Sequence, residues 1–142
     1  MRKFLAISTF LLSSSVIAME SNPCVIVGSS VEIPIFNAMI NDMGVKRESI
    51  VAKKTKLELL ENKPVNKLLA MQLAKSDEKE LSFVKYKELF SIYQSDNPRN
   101  LIIKYTYENT EGNHNIFIGS AIVNNNECSV GFNGYIVVER GF

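Results

Sequence analysis

The chain holds two cysteines, Cys24 near its start in "ESNPCVIVG" and Cys128 near its end in "NNNECSVGF". Whether these thiols join decides whether the two ends of the chain form one structural unit, and the first eighteen residues bear directly on that choice. "MRKFLAISTFLLSSSVIA" opens with Arg2 and Lys3, continues with an apolar run from Phe4 to Leu12, and closes with Val16 and Ala18 where a signal peptidase reads small residues. A membrane anchor is the competing reading, but the apolar run stops at three serines, well short of the ~20 residues needed to cross a bilayer. The "SNP" before Cys24 is unlike the small apolar residues of a lipoprotein processing site. The sequence thus predicts a signal peptide over residues 1–18, cleavage after Ala18, and a periplasmic or secreted domain over residues 19–142 with no integral membrane span.

In an oxidising compartment, two cysteines are most simply read as one intramolecular disulfide, Cys24 to Cys128. The alternatives need partners. A zinc site wants about four Cys, His or carboxylate ligands, and a cysteine nucleophile wants a histidine base. The single histidine, His114, sits in the turn-like "NTEGNHN". A bridge of this span closes a loop for which chain entropy gives ~4 to 5 kcal/mol as an upper figure.

The domain is long enough for one core and too short for two comfortable ones. Of 16 Lys and Arg against 15 Asp and Glu, two basic residues belong to the leader, so the mature chain is close to neutral. A nucleic-acid binder normally carries a basic excess, and that class is disfavoured.

Along the chain, Ser29 or Ser30 reads as a helix N-cap, with Glu32 and Pro34 in the first turn, Ile33, Phe36, Ile40 and Met43 as a core stripe, and Gly44 as the stop. Met39 and Met43 read as packing. In "ESIVAKKTKLELLE", Thr55, Leu57 and Leu59 alternate with Lys54, Lys56 and Glu58, the pattern of a strand wet on one side. Lys53, Lys54 and Lys56 invite an anionic ligand, but lysines are also the ordinary guard of an edge strand.

"NKPVNKLLAMQLAKSD" predicts a well-buried short helix with Pro64 in its first turn, and "EKELSFVKYKELFSIYQSD" a short extended piece running into a helical turn. The last third predicts strands: "NLIIKYTYEN", a "TEGN" hairpin turn, "NIFIGSAIV", and then "ECSVGF" joined to "YIVVER" through a two-residue turn at Asn133–Gly134. The expected fold is α+β, with N-terminal helices packed on one face of an antiparallel, meander-like sheet.

Catalytic signatures are sparse. The chain lacks HExxH, a glycine-rich phosphate loop and a nucleophile elbow. A carboxylate pair for glycoside hydrolysis cannot be chosen among fifteen acids without a fold. We therefore assign no catalytic, cofactor-binding or metal-ligating residue, and expect no cofactor. Tyr105 and Tyr107 share one strand face, as do Phe117 and Gly119 on the next strand. Such a face is a binding surface if it points outward and core if inward, and core is the commoner outcome. Gly119 in mid-strand suggests a bulge or a close backbone approach.

The order "FVKYKEL", "DNPRNLIIKYTYENTEGNHNIFIGSAIV", a cysteine-bearing strand and "GYIVVE" resembles the small exported enterobacterial proteins of the YebF and colicin M immunity protein type. Cys24, Cys128, Gly134 and Tyr135 stand in the corresponding order, while the stretch around residues 45–75 is additional here. The resemblance implies an exported, disulfide-closed α+β binding protein whose partner is another protein, most concretely an immunity protein or inhibitor that neutralises a toxin or enzyme. An export-linked or virulence-associated secreted factor without inhibitory role is the alternative, and a small carboxylate-dependent hydrolase a third.

Overall fold

The computed structural model describes residues 21–142, so the expected leader lies outside the described residues. Four antiparallel strands form one meander in the order β1-β2-β3-β4: β1 (Lys56–Pro64), β2 (Arg99–Glu108), β3 (His114–Val123) and β4 (Gly131–Arg140). Three α-helices accompany them. A short α1 (Ile33–Asn37) precedes the sheet, and α2 (Lys67–Glu80) and α3 (Tyr86–Ile92) fill the connection from β1 to β2. The class is α+β, as the sequence implies.

The core is organised on β2. Leu101, Ile103, Tyr105 and Tyr107 alternate onto one face and are fully buried, each worth about 1.5–3 kcal/mol relative to exposure. Register carries the same face across β3, where Tyr105 pairs with Phe117, Ile103 with Gly119 and Leu101 with Ala121. On β1, Leu57 and Leu59 join it opposite Tyr105 and Ile103. Against this face lies the N-terminal layer, contributing Cys24, Val31, Ile35, Met39 and Val45.

That layer differs in phase from the expected helix. Residues Ser29–Glu32 form a turn, with Glu32 N–H donating to the Ser29 carbonyl, and the Ser29 hydroxyl donates to the Cys24 carbonyl instead of capping a helix. The α-helix starts at Ile33 and gives way to a π-helical turn over Ala38–Asp42. Ile33 is consequently half exposed, while Val31, Ile35, Ala38 and Met39 face inward. The cause is long-range: the Tyr105 hydroxyl donates to the Val31 carbonyl at 2.8 Å and orients the strand-facing side. Gly44, at φ +72°, ends the segment as expected.

The α2–α3 hairpin forms a smaller cluster with Ala70, Leu73, Ala74, Leu89 and Tyr93 packed on Ile122, which alternation places on the sheet side opposite Ala121 and Val123. Two polar ties close the hairpin: Tyr86 N–H donates to Glu78 at 2.9 Å, and the Tyr93 hydroxyl donates to Asp77. Three local expectations change. Pro64 ends β1 opposite Arg99, and Asn66 opens α2 by accepting from Leu69 N–H at 2.9 Å, because proline terminates a strand edge as readily as it opens a helix. Helix α2 buries a single stripe and leaves Leu68 65 % exposed, since only one side meets the sheet. No strand forms at Leu81 and Phe83; α2 runs on to Glu80 and Phe83 stands exposed in the turn.

The Cys24–Cys128 disulfide is present, with Cα atoms 5.4 Å apart. Its loop is shaped by Asn124, whose side-chain oxygen accepts from Asn126 and Glu127 N–H, both at 2.9 Å. This loop, and not Asn133–Gly134, connects β3 to β4. The Asn–Gly pair lies inside β4, where the register jumps between Gly119↔Tyr135 and Ala121↔Phe132, and Gly134 at φ +107° absorbs an extra residue as a bulge. The expected "TEGN" turn does join β2 to β3: Asn109 Oδ1 accepts from Glu111 and Asn113 N–H, and Gly112 takes φ +85°.

At the other end of the sheet, buried Asn115 holds the terminus of the chain. Its Oδ1 accepts from Gly141 N–H at 2.9 Å and Phe142 N–H at 3.2 Å, and its Nδ2 donates to the Phe142 carbonyl at 3.0 Å. Replacing Asn115 by Leu removes all three bonds made by this buried side chain, so a loss of about 2–4 kcal/mol is expected in urea denaturation; an unchanged midpoint would refute the clamp. A Cys24→Ala/Cys128→Ala double variant should lose about 2–5 kcal/mol, read as the drop in denaturation midpoint relative to the oxidised protein, with equal midpoints as the contrary result.

Candidate functional site

The residues singled out for chemistry are mostly structural. Tyr105, Tyr107 and Phe117 are fully buried, so their shared face is core and not a binding surface. Their rings pack edge to face, Tyr107 with Phe117 at 6.0 Å and Phe117 with Tyr135 at 5.9 Å. Gly119 permits the close approach its position suggested, since a Cβ there would lie 3.1 Å from the Tyr105 ring and 3.3 Å from Phe132. Lys53 and Lys56 are exposed, whereas Lys54 pairs with Glu108. His114 opens β3 and places Nε2 3.3 Å from the same Glu108 carboxylate. The Lys54 hydrogen bond, with His114 assisting, holds the Glu108 carboxyl below its ordinary range. The three lysines therefore flank the sheet without converging on a common point in any recorded contact. Among the described residues no cluster of three or more His, Cys, Asp or Glu is arranged to hold a metal ion, and no helix is long and apolar enough to cross a membrane.

The surface that differs from the rest is the β4 edge. A sheet in the order β1-β2-β3-β4 has two free edges. Along β1, the sequence places Lys56, Glu58, Glu61, Lys63 and Pro64, the charged and proline guards that oppose strand addition. Along β4, Tyr135, Ile136, Val137 and Val138 run consecutively and are 36 %, 62 %, 46 % and 54 % exposed. Single exposed apolar residues need no explanation, but four in a row on a strand with one free side do.

Register distributes these side chains. Ile136 pairs with Ile118 on the sheet side away from the N-terminal layer, and Val137 pairs with Phe117 on the near side. Val138 is the extra residue of a second bulge, between Ile116↔Glu139 and Phe117↔Val137. On the far side, half-buried Ile102, Ile116 and Ile118 extend the apolar surface inward from Ile136, with Lys104 paired to Glu58 at its border. The edge thus offers main-chain donors and acceptors beside an apolar strip, the combination that strand-adding partners use.

Other depressions are less distinctive. One of about 510 Å³ lies between α3 and the Asn124–Glu127 loop and is lined by Glu88, Asp96, Glu127 and Lys87. It is an open groove, and its Glu88 carboxylate already accepts from the Lys85 N–H at 3.4 Å. Comparison with protein-family models, with curated proteins and with solved structures finds no match.

The sequence marks "YIVVER" as a strand but does not mark it as an exposed sheet edge. The available signal was the contrast between its four uninterrupted apolar residues and the alternating charges of "KLELLENKP". Burial also marks three tyrosines. Desolvation, then the hydrogen bond to Asp77, pushes the Tyr93 phenol far above its usual range, and desolvation, then Glu32, does so for Tyr105 and Tyr107. Because these folded-state values exceed the unfolded one, the associated stability is intact below pH ~10 and falls as pH rises beyond it. Phenolate absorbance of the native protein should show three tyrosines withheld from ionisation until the fold opens in base; full ionisation of all five near pH 10 with the fold intact would contradict this.

Proposed function

We propose that the chain is an exported, disulfide-closed binding protein that occupies a toxin or enzyme by pairing its β4 edge with an extended segment of that protein. On this reading it is an immunity protein or inhibitor of the kind its layout resembles. The observation that carries the proposal is the run Tyr135–Val138, four consecutive exposed apolar residues on an edge strand whose charges, Glu139 and Arg140, stand only at its end, whereas charges are spread along β1. The disulfide supports an oxidising destination, where such bonds persist. A near-neutral chain argues against a nucleic-acid partner, and an apolar strip with polar surroundings is the usual anatomy of a protein interface.

Strand addition makes a specific demand: the partner's backbone must lie within hydrogen-bonding distance of β4, with alternate side chains falling beside Ile136. Ile136→Lys puts a charge into that strip while leaving the buried face untouched, so stability should change by no more than about 0.5 kcal/mol. Expressed in the periplasm, the wild-type protein should protect cells against a toxin encoded by the neighbouring reading frame, and I136K should lose that protection at equal abundance. Protection undiminished in I136K would remove β4 from the interface; a wild-type protein that gives no protection and accumulates in the culture medium would favour the secreted accessory factor instead.

A further inference from the structure

Away from β4, the N-terminal layer and the 3₁₀ turn Ala52–Lys54 enclose a half-open cavity of about 240 Å³. Its walls are apolar, drawn from Val27, Ile33, Phe36, Ile50 and Ala52. Two polar side chains that line it are buried, Glu32 at 6 % exposure and Thr55 at 8 %. Val27 and Ile33, by contrast, are about half exposed and stand at its mouth.

Glu32 is the unusual feature. Acids are almost never this buried without a partner of opposite charge. Its carboxylate accepts from Gly28 N–H, yet among the described residues it forms no salt bridge. Arg47 lies over the Phe36 ring at 4.8 Å from the centroid, and Lys54 is paired with Glu108. A second buried polar group lies beside Glu32: the Tyr107 hydroxyl, behind Phe36, is close enough for the carboxylate to hold the phenol protonated, and makes no other hydrogen bond among the described residues.

An acid with a backbone N–H and a tyrosine hydroxyl beside it, lining an apolar cavity and lacking a cation among the described residues, is the complement of an ammonium group on a short hydrocarbon body. We infer that this cavity binds a primary alkylammonium, with the nitrogen on Glu32 and the carbon chain between Ile33, Phe36 and Ile50. Its volume falls below the roughly 300–1,000 Å³ that drug-sized ligands fill, which limits the occupant to a group of about side-chain size. Two sources carry that chemistry: a free small amine, or a lysine side chain presented by a bound protein. The inference stands independently of the β4 reading, since the cavity and the strand use different residues.

The test is titration of the oxidised, leaderless protein with n-butylammonium, with n-butanol as its neutral counterpart, followed by amide chemical shifts of Gly28, Glu32 and Ala52. Butylammonium should bind at least about tenfold more tightly than butanol, and Glu32→Gln should erase that preference. Ala52→Phe, at an exposed position on the mouth, should block both probes with the fold intact, and so serves if E32Q does not fold. N-acetyl-lysine methylamide separates the sources: tighter binding than butylammonium points to a protein-borne lysine, and weaker binding to a free amine. Equal affinity for ammonium and alcohol, no shift with either at millimolar concentration, or unaltered binding in A52F would overturn the inference.

Discussion

The Cys24–Cys128 bond holds in place a layer that has little regular structure of its own. Between Ser21 and Thr55 the chain forms one five-residue α-helix, one π turn and two 3₁₀ turns. Helices this short do not persist alone, because nucleation consumes more conformational freedom than one or two hydrogen bonds return. What keeps the layer on the sheet is two tethers near its start, the disulfide from Cys24 to the β3–β4 loop and the Tyr105 hydroxyl on the Val31 carbonyl. From Val31 onward, Val31, Ile35 and Met39 are buried in the core shared with β2 and β3. The cavity beside Glu32 exists because the same layer spans the sheet as turns and not as a continuous helix, leaving space where a helical face would have packed.

The asymmetry of the sheet follows from how its strands meet the two helical layers. Strand β2 is central and covered, and reads as strict alternation of buried and half-buried residues. Strand β4 is covered only at its beginning, where Gly131 approaches the Tyr93 hydroxyl so closely that a Cβ would lie 2.7 Å from it. Beyond Gly134, Tyr135 packs on Phe117 and Arg140 donates to the Met43 carbonyl, while Ile136, Val137 and Val138 are exposed. Two bulges bend the strand there, and bulges raise local twist and discourage indiscriminate sheet extension. If β4 pairs with a partner as proposed, an edge that is apolar yet bulged would favour a strand that matches the bend, a requirement of specificity rather than of stability.

Buried polar groups divide into those that finish the fold and those that leave it open. Asn115 and Asn109 each satisfy backbone groups, at Gly141–Phe142 and in the β2–β3 turn, and leaving such a buried side chain without its bonds costs its desolvation. Glu32 accepts one turn N–H, from Gly28, and lines the cavity, while Tyr107 is sealed behind Phe36.

Much of this was written in local pattern. The strand-rich last third, the "TEGN" turn, the inward face of Tyr105 and Tyr107, the permissive Gly119 and the pairing of two lone cysteines all follow from periodicity, turn chemistry or counting, each of which acts over a few residues or on composition. Tertiary structure decided the rest. The phase of the first helical segment depends on a bond from Tyr105, seventy-four residues away. Asn133–Gly134 became a bulge because the disulfide-bearing loop had already made the reversal, so the same positive backbone angle served a different end. Above all, the sequence names "YIVV" as a strand but cannot say that it lies at an edge, because edge and centre differ only in what packs alongside, and that is a property of the assembled sheet.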